Sequence, residues 1–197
     1  MKANLLRLLC LLLCLSANSF AKPVIVIDAG HGGQDRGGMP GQRIPEKGYC
    51  LDVSKRLEIA LKRAGFQTVM TRRSDVFIPP GDRSAIANQY RGSVLVSIHF
   101  NGAANYDAHG IETYYHHGRD SAALASAIHR SVLAATGEED RRIRTRGFHV
   151  LRRTRGTAVL CELGFLTNKT EARRIDSSSY RQKLAEAIAR AIVSRYR

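Results

Sequence analysis

Four residues stand where a chain can present chemistry. His31 follows the apolar run Val24-Ile25-Val26-Ile27, and His99 closes the run Val94-Leu95-Val96-Ser97-Ile98. Glu46 falls in the first turn of a helical stretch, and Glu162 ends a short strand near Ala158 to Leu163. A hydrolytic zinc site needs three nitrogen or oxygen ligands, an open position for water, and usually a carboxylate that takes the water's proton. These four side chains offer that set, and Gly32-Gly33 and Asn101-Gly102 leave room for a substrate beside the histidines. Spacing alone leaves a plainer reading open, because the ligands are scattered and form no HExxH or CxxC repeat. In that reading the histidines are hydrogen-bonded loop residues and Glu46 is a carboxylate favoured by a helix dipole.

The elements that must position these residues follow from hydrophobic period. A continuous β-branched run predicts a buried strand at Val24 to Ile27, and a largely apolar stretch predicts another at Val94 to Ile98, with a further strand over Phe66 to Thr71. Helical spacing predicts helices from Glu46 to Ala64, from Pro79-Pro80 to about Arg91, from Ser121 to about Thr136, and over the final stretch that includes Leu184, Ile188 and Ile192. An extended segment is expected around Ile111 to Tyr115, and short strands near Phe148 to Leu151 and Ala158 to Leu163. This alternation is α/β and favours one mixed or parallel sheet covered on both faces, with ligands gathering outside the carboxyl ends of strands.

Lys2 and Arg7, the apolar run Leu8 to Leu15 and the small residues around Ala21 read as a signal peptide over residues 1–21, leaving a catalytic domain over 22–197. The apolar run is shorter than the roughly 20 residues of a spanning helix, so no stable membrane insertion is expected after cleavage. Cys10 and Cys14 would leave with it; Cys50 and Cys161 then read as small buried side chains. With 31 Lys+Arg against 17 Asp+Glu the chain carries a formal charge of +14, which favours polyanions. Export makes a carboxylate-rich cell wall the expected partner, and the sparse aromatics around the arginine run Arg141 to Arg155 argue against nucleic acid.

Four ordered segments carry a resemblance. They are Val24-Ile25-Val26-Ile27-Asp28-Ala29-Gly30-His31-Gly32-Gly33, Glu46-Lys47, Ser97-Ile98-His99-Phe100-Asn101-Gly102, and Cys161-Glu162-Leu163-Gly164-Phe165-Leu166-Thr167-Asn168. With Thr71-Arg72, Asp82-Arg83, Gly110 to Tyr115 and Val150-Leu151-Arg152, the chain resembles the AmiC-like N-acetylmuramoyl-L-alanine amidases over nearly its whole mature length. It departs from them at Gly48-Tyr49-Cys50, less polar than the family pattern, and at His149, an often aromatic site.

The resemblance implies a three-layer αβα sandwich with a mixed, mostly parallel sheet. It implies Zn2+ held by His31, Glu46 and His99, with Glu162 as the catalytic carboxylate. The implied substrate is peptidoglycan, cut at the amide between the lactyl group of N-acetylmuramic acid and L-alanine, in the periplasm or outside the cell. A monomer is expected, with control by an activator protein left open. The short interval from Tyr115 to Phe148 predicts no large autoinhibitory insertion. His109 and His149 are left outside the metal shell, since three ligands and a water complete it. Arginines 141 to 155 are candidates for steering peptide carboxylates. A noncatalytic basic wall-binding module and a different secreted zinc peptidase are the competing readings.

Overall fold

The computed structural model describes residues 22–40 and 42–197. The leader expected over residues 1–21, with Cys10 and Cys14, lies outside them. In chain order the elements are β1 (Ile25–Ala29), α1 (Lys47–Arg63), β2 (Thr68–Met70), α2 (Pro80–Asn88), β3 (Val94–Asn101) and β4 (Ile111–Tyr115). There follow α3 (Arg119–Thr136), β5 (Asp140–Thr145), α4 (His149–Arg153), β6 (Thr157–Phe165), α5 (Lys169–Asp176) and α6 (Ser178–Tyr196).

The six strands form one sheet in the order β2-β1-β3-β6-β4-β5. β2, β1, β3 and β6 run parallel, while β4 is antiparallel to β6 and carries β5 parallel to itself at the edge. Successive strand residues point to opposite faces, which divides the core in two. Ile25, Ile27, Val96 and Val159 pack under α1, α3 and α6 through Leu57, Ile128 and Ile188. Val26, Leu95 and Leu160 face Ala87 of α2 and Val150 and Leu151 of α4. The result is the expected αβα sandwich with a mixed sheet. Among the described residues no helix is long and apolar enough to cross a membrane.

One local expectation is corrected, and two further elements appear that the hydrophobic period did not announce. The strand expected near Phe148 to Leu151 is the short helix α4, whose first turn closes when the Leu151 and Arg152 amides donate to the Phe148 carbonyl. Asp140–Thr145 is a strand that apolar alternation did not announce, because it lies at the sheet edge and is largely exposed. The polar stretch after Thr167 holds α5, where the Asn168 side chain caps the helix by accepting from the Thr170 and Glu171 amides. Two strands also outrun their expected ends, so that His99 and Glu162 lie inside β3 and β6 rather than at their last residues.

The C-terminal end of β1 is fixed by buried charge. Asp28, fully buried, accepts from Arg83 Nη1 (2.8 Å), Thr71 Oγ1 (2.8 Å) and Ser97 Oγ (2.6 Å). Arg83 also donates to the Ala29, His31 and Ile78 carbonyls, and Arg72 to those of Ala29, Gly30 and Lys47. Burial alone would raise the Asp28 pKa, but Arg83 and the two hydroxyls hold it below the ordinary carboxylate value. A depressed carboxylate contributes stability above its unfolded pKa and loses it as pH falls through the folded one. Arg83→Met is therefore expected to destabilise the fold by about 3–5 kcal/mol at pH 7, because it strands the buried charge. The penalty should shrink below about pH 4, where Asp28 is neutral in the variant. Urea melts at pH 7 and pH 3.5 check this, and an equal penalty at both would contradict it.

Candidate active site

Beyond β1 the chain turns through His31, which adopts a left-handed backbone (φ 59°), a conformation uncommon for a residue with a Cβ. Its Nδ1 donates to Asp35 Oδ2 at 2.9 Å, which fixes the ring and turns Nε2 toward Glu46 Oε2 at 3.1 Å. Glu46 precedes α1 but caps no backbone amide of that helix. Its carboxylate, 3% exposed, instead accepts from His99 Nδ1 (2.9 Å), the Phe100 amide (2.9 Å) and the Gly38 amide (3.0 Å). A mere helix-start carboxylate would instead accept from the first amides of the helix.

One donor atom each from His31, Glu46 and His99 lies within 4.8 Å of the others. No other group of three or more His, Cys, Asp or Glu side chains among the described residues meets that condition. The set of two imidazoles and a carboxylate suits a divalent metal ion of intermediate hardness. Burial opposes protonation of His31, but Glu46 and Asp35 outweigh it and hold the pKa above the ordinary histidine value. Burial likewise favours a neutral Glu46, yet hydrogen bonds from both histidines keep it ionised, well below the usual carboxylate range. A metal ion here competes with the proton on His31, so its affinity falls as pH drops.

Glu162 reaches the same place by strand register. It is the direct partner of His99 across the parallel β3–β6 pair, so the two side chains leave one face about 4.8 Å apart. Its Oε2 is buried and finds no hydrogen-bond partner among the described residues. Burial, then the charges of Glu46 and Glu112, raise its pKa well above the ordinary glutamate value. A buried polar atom without a partner is costly unless a ligand supplies one, so this orphan fits an open site beside the three donors. Behind it, Glu112 accepts from Asn101 Nδ2 (2.9 Å), Tyr114 Oη (2.6 Å) and Arg141 Nε (3.1 Å).

Residues 25–194 match the family model described as N-acetylmuramoyl-L-alanine amidase. The chain belongs to that family. The amidase domain is 38% identical to the uncharacterised protein YqiI of Bacillus subtilis strain 168, an alignment covering 87% of this chain and 84% of that protein. It is 34% identical to the N-acetylmuramoyl-L-alanine amidase LytC of the same strain, over 92% of this chain but only 38% of LytC. The solved amidase AmiC2 of Nostoc punctiforme superposes with a TM-score of 0.83 at 34% identity, covering 89% of this chain and 97% of that one.

The remaining histidines of the amidase lie apart from the cluster. His109 is exposed and pairs with Glu139, His129 is buried between Thr113 and Asp140, and His149 opens α4 beside Gly81. Cys50 and Cys161 are free and buried, and burial pushes the Cys161 thiol up to about 12. Sequence reasoning missed Asp35 as the residue that orients His31; an acid four residues beyond a candidate ligand was the available signal. It also missed how closely Gly30 backs His99, since a Cβ there would lie 2.4–2.7 Å from three atoms of the ring. Gly30→Ala should therefore displace His99 and weaken divalent-metal affinity by roughly 10–100-fold, the loss typical of disturbed support around a ligand. Competitive metal titration checks this, with the melting temperature of the chelated protein as control for the fold.

Proposed function

We propose that the domain is an exported zinc amidase that cuts peptidoglycan at the amide joining the lactyl group of N-acetylmuramic acid to L-alanine. In this reading His31, Glu46 and His99 hold the ion and Glu162 handles the proton. The observation that carries it is the convergence of three ligand-type donors within 4.8 Å of one another. A zinc ion held there supplies Lewis-acid polarisation of water and of the substrate carbonyl. Glu162 takes the proton of the attacking water on its unpartnered Oε2 and returns it to the leaving amine. Asp35 keeps the His31 ring oriented, while Arg72 and Arg83 clamp the backbone that carries it.

Residues 1–21 act in this reading as a cleaved leader, placing the domain in the periplasm or at the cell wall, where its substrate lies. Its basic charge brings it to that acidic polymer. The interval from Tyr115 to Phe148 is filled by α3 and β5, so any control of access falls to a separate partner. Digestion of defined peptidoglycan fragments by the zinc-loaded protein, followed by mass analysis, tests the assignment. Release of intact stem peptides from intact glycan is the expected result. Cleavage only within the stem would make the domain a peptidase instead, and binding without cleavage would make it a wall-binding module.

A further inference from the structure

The segments that leave the candidate site converge on a groove of about 860 Å³. That volume lies within the roughly 300–1,000 Å³ of ordinary ligand clefts. One wall is the loop between β1 and α1, which also borders the depression at His31. The others are Ala103-Ala104 just beyond β3, Leu166-Thr167 just beyond β6, and α5. Met39 and Gln42 of the first wall lie against Gly102, three residues past His99.

The lining is two-sided in character. Met39 and Tyr106 give it an apolar surface, and Tyr106 is 71% exposed, unusual for so large a ring. Arg43, Lys169 and Arg173 add three cations. Arg174, the next residue on α5, is engaged by Glu138, whereas none of those three side chains has an ion pair or hydrogen bond among the described residues. The carboxylate in the lining, Asp176, accepts from Tyr49 Oη at 3.0 Å. Of the two halves of a substrate cut at a lactyl-alanine amide, the glycan chain offers mainly hydroxyls and the peptide offers carboxylates. Unpaired cations match the peptide.

We propose that this groove seats the acidic peptide on the amine side of the scissile bond. Lys169, Arg173 and Arg43 engage its free carboxylates, and Tyr106 and Met39 cover its aliphatic parts. The assignment rests on the amidase reading above and places carboxylate recognition on α5 and the β1–α1 loop, away from the arginines 141 to 155 that the sequence suggested. In the structure Arg141 is spent on Glu112 and on the face of Phe165 (4.8 Å).

The test compares a synthetic muramyl peptide bearing free carboxylates with the same compound fully amidated, using the full-length protein and its Lys169→Ala/Arg173→Ala variant. Wild type should favour the acid form about tenfold in kcat/KM, and the variant should bring that ratio close to one. Fluorescence polarisation of the labelled stem peptide alone, in acid and amide forms, should show the same tenfold preference and the same loss. If wild type cuts both forms equally and the variant changes nothing, the groove has another occupant and the proposal falls while the amidase reading stands. If the lactyl amide is never cut but acid-selective binding depends on Lys169 and Arg173, the groove stands and the amidase reading falls. Absence of acid preference in both assays overturns the proposal.

Discussion

Glu162→Gln is expected to lower kcat by roughly 10²–10⁴-fold with little change in KM, because glutamine keeps the shape of the side chain but cannot take a proton from water. The same substitution should stabilise the metal-stripped protein at neutral pH. Burial and the nearby Glu46 and Glu112 raise the folded pKa of Glu162 above its unfolded value. Without metal the folded state then holds a proton that the unfolded state releases, so stability is lost as pH rises above about 4.5 toward the folded pKa. A divalent ion held beside Glu162 would instead favour the ionised form that acts as base. The melting temperature of the chelated variant should exceed that of chelated wild type at pH 7 and match it below about pH 4. Full turnover in the variant would remove Glu162 from the chemistry. Lost turnover without the stability gain would mean that its buried carboxylate finds compensation the structure does not contain.

Glu46→Ala is expected to abolish zinc retention and activity together. Loss of a residue that merely supports a ligand costs about 10–100-fold in metal affinity, so loss of a direct ligand should exceed about 100-fold. The variant should also be less stable without metal, since the buried Phe100 amide loses its acceptor and both histidines lose the carboxylate between them. An unsatisfied buried donor costs about 1–3 kcal/mol. Zinc content after dialysis and the melting temperature of chelated protein separate the two effects. The residues that follow Glu46, Gly48-Tyr49-Cys50, depart from the family pattern, so a variant that kept a full complement of zinc would redraw the ligand set.

Strands that are buried on both faces were legible because their composition leaves no alternative. Ile25 to Ile27 is a continuous apolar run and Val94 to Ile98 is interrupted only by the buried Ser97, and the histidines beyond them could be placed at the sheet's functional end. Elements whose stability comes from neighbours rather than from their own pattern were not legible. Asp140–Thr145 offers only Ile143 to a core, and its identity as a strand depends on pairing with β4. His149–Arg153 is too short for a helical period to show, and its apolar Val150 and Leu151 fit a strand equally well until they are seen packing against Tyr114 and Leu160. α5 did carry a local signal, Asn168 followed three residues later by Glu171. That glutamate instead accepts from the Gly110 and Phe165 amides, tying α5 to β4 and β6. Within the candidate site, the convergence of His31, Glu46 and His99 depends on the fold and could not be measured along the chain.

The pairing of His99 with Glu162 across adjacent parallel strands separates two design variables. The spacing between the proposed metal ligand and the proposed proton carrier is set by the backbone hydrogen-bond ladder, which varies little from one sheet to another. Three of the four groove walls are connecting segments, which tolerate substitution and changes in length. A lineage, or an engineer, can therefore exchange those loops to redirect the domain toward differently decorated walls while the reacting groups keep their separation. A single-residue slip between β3 and β6 has the opposite effect, turning Glu162 to the far side of the sheet and silencing the enzyme with every residue still present.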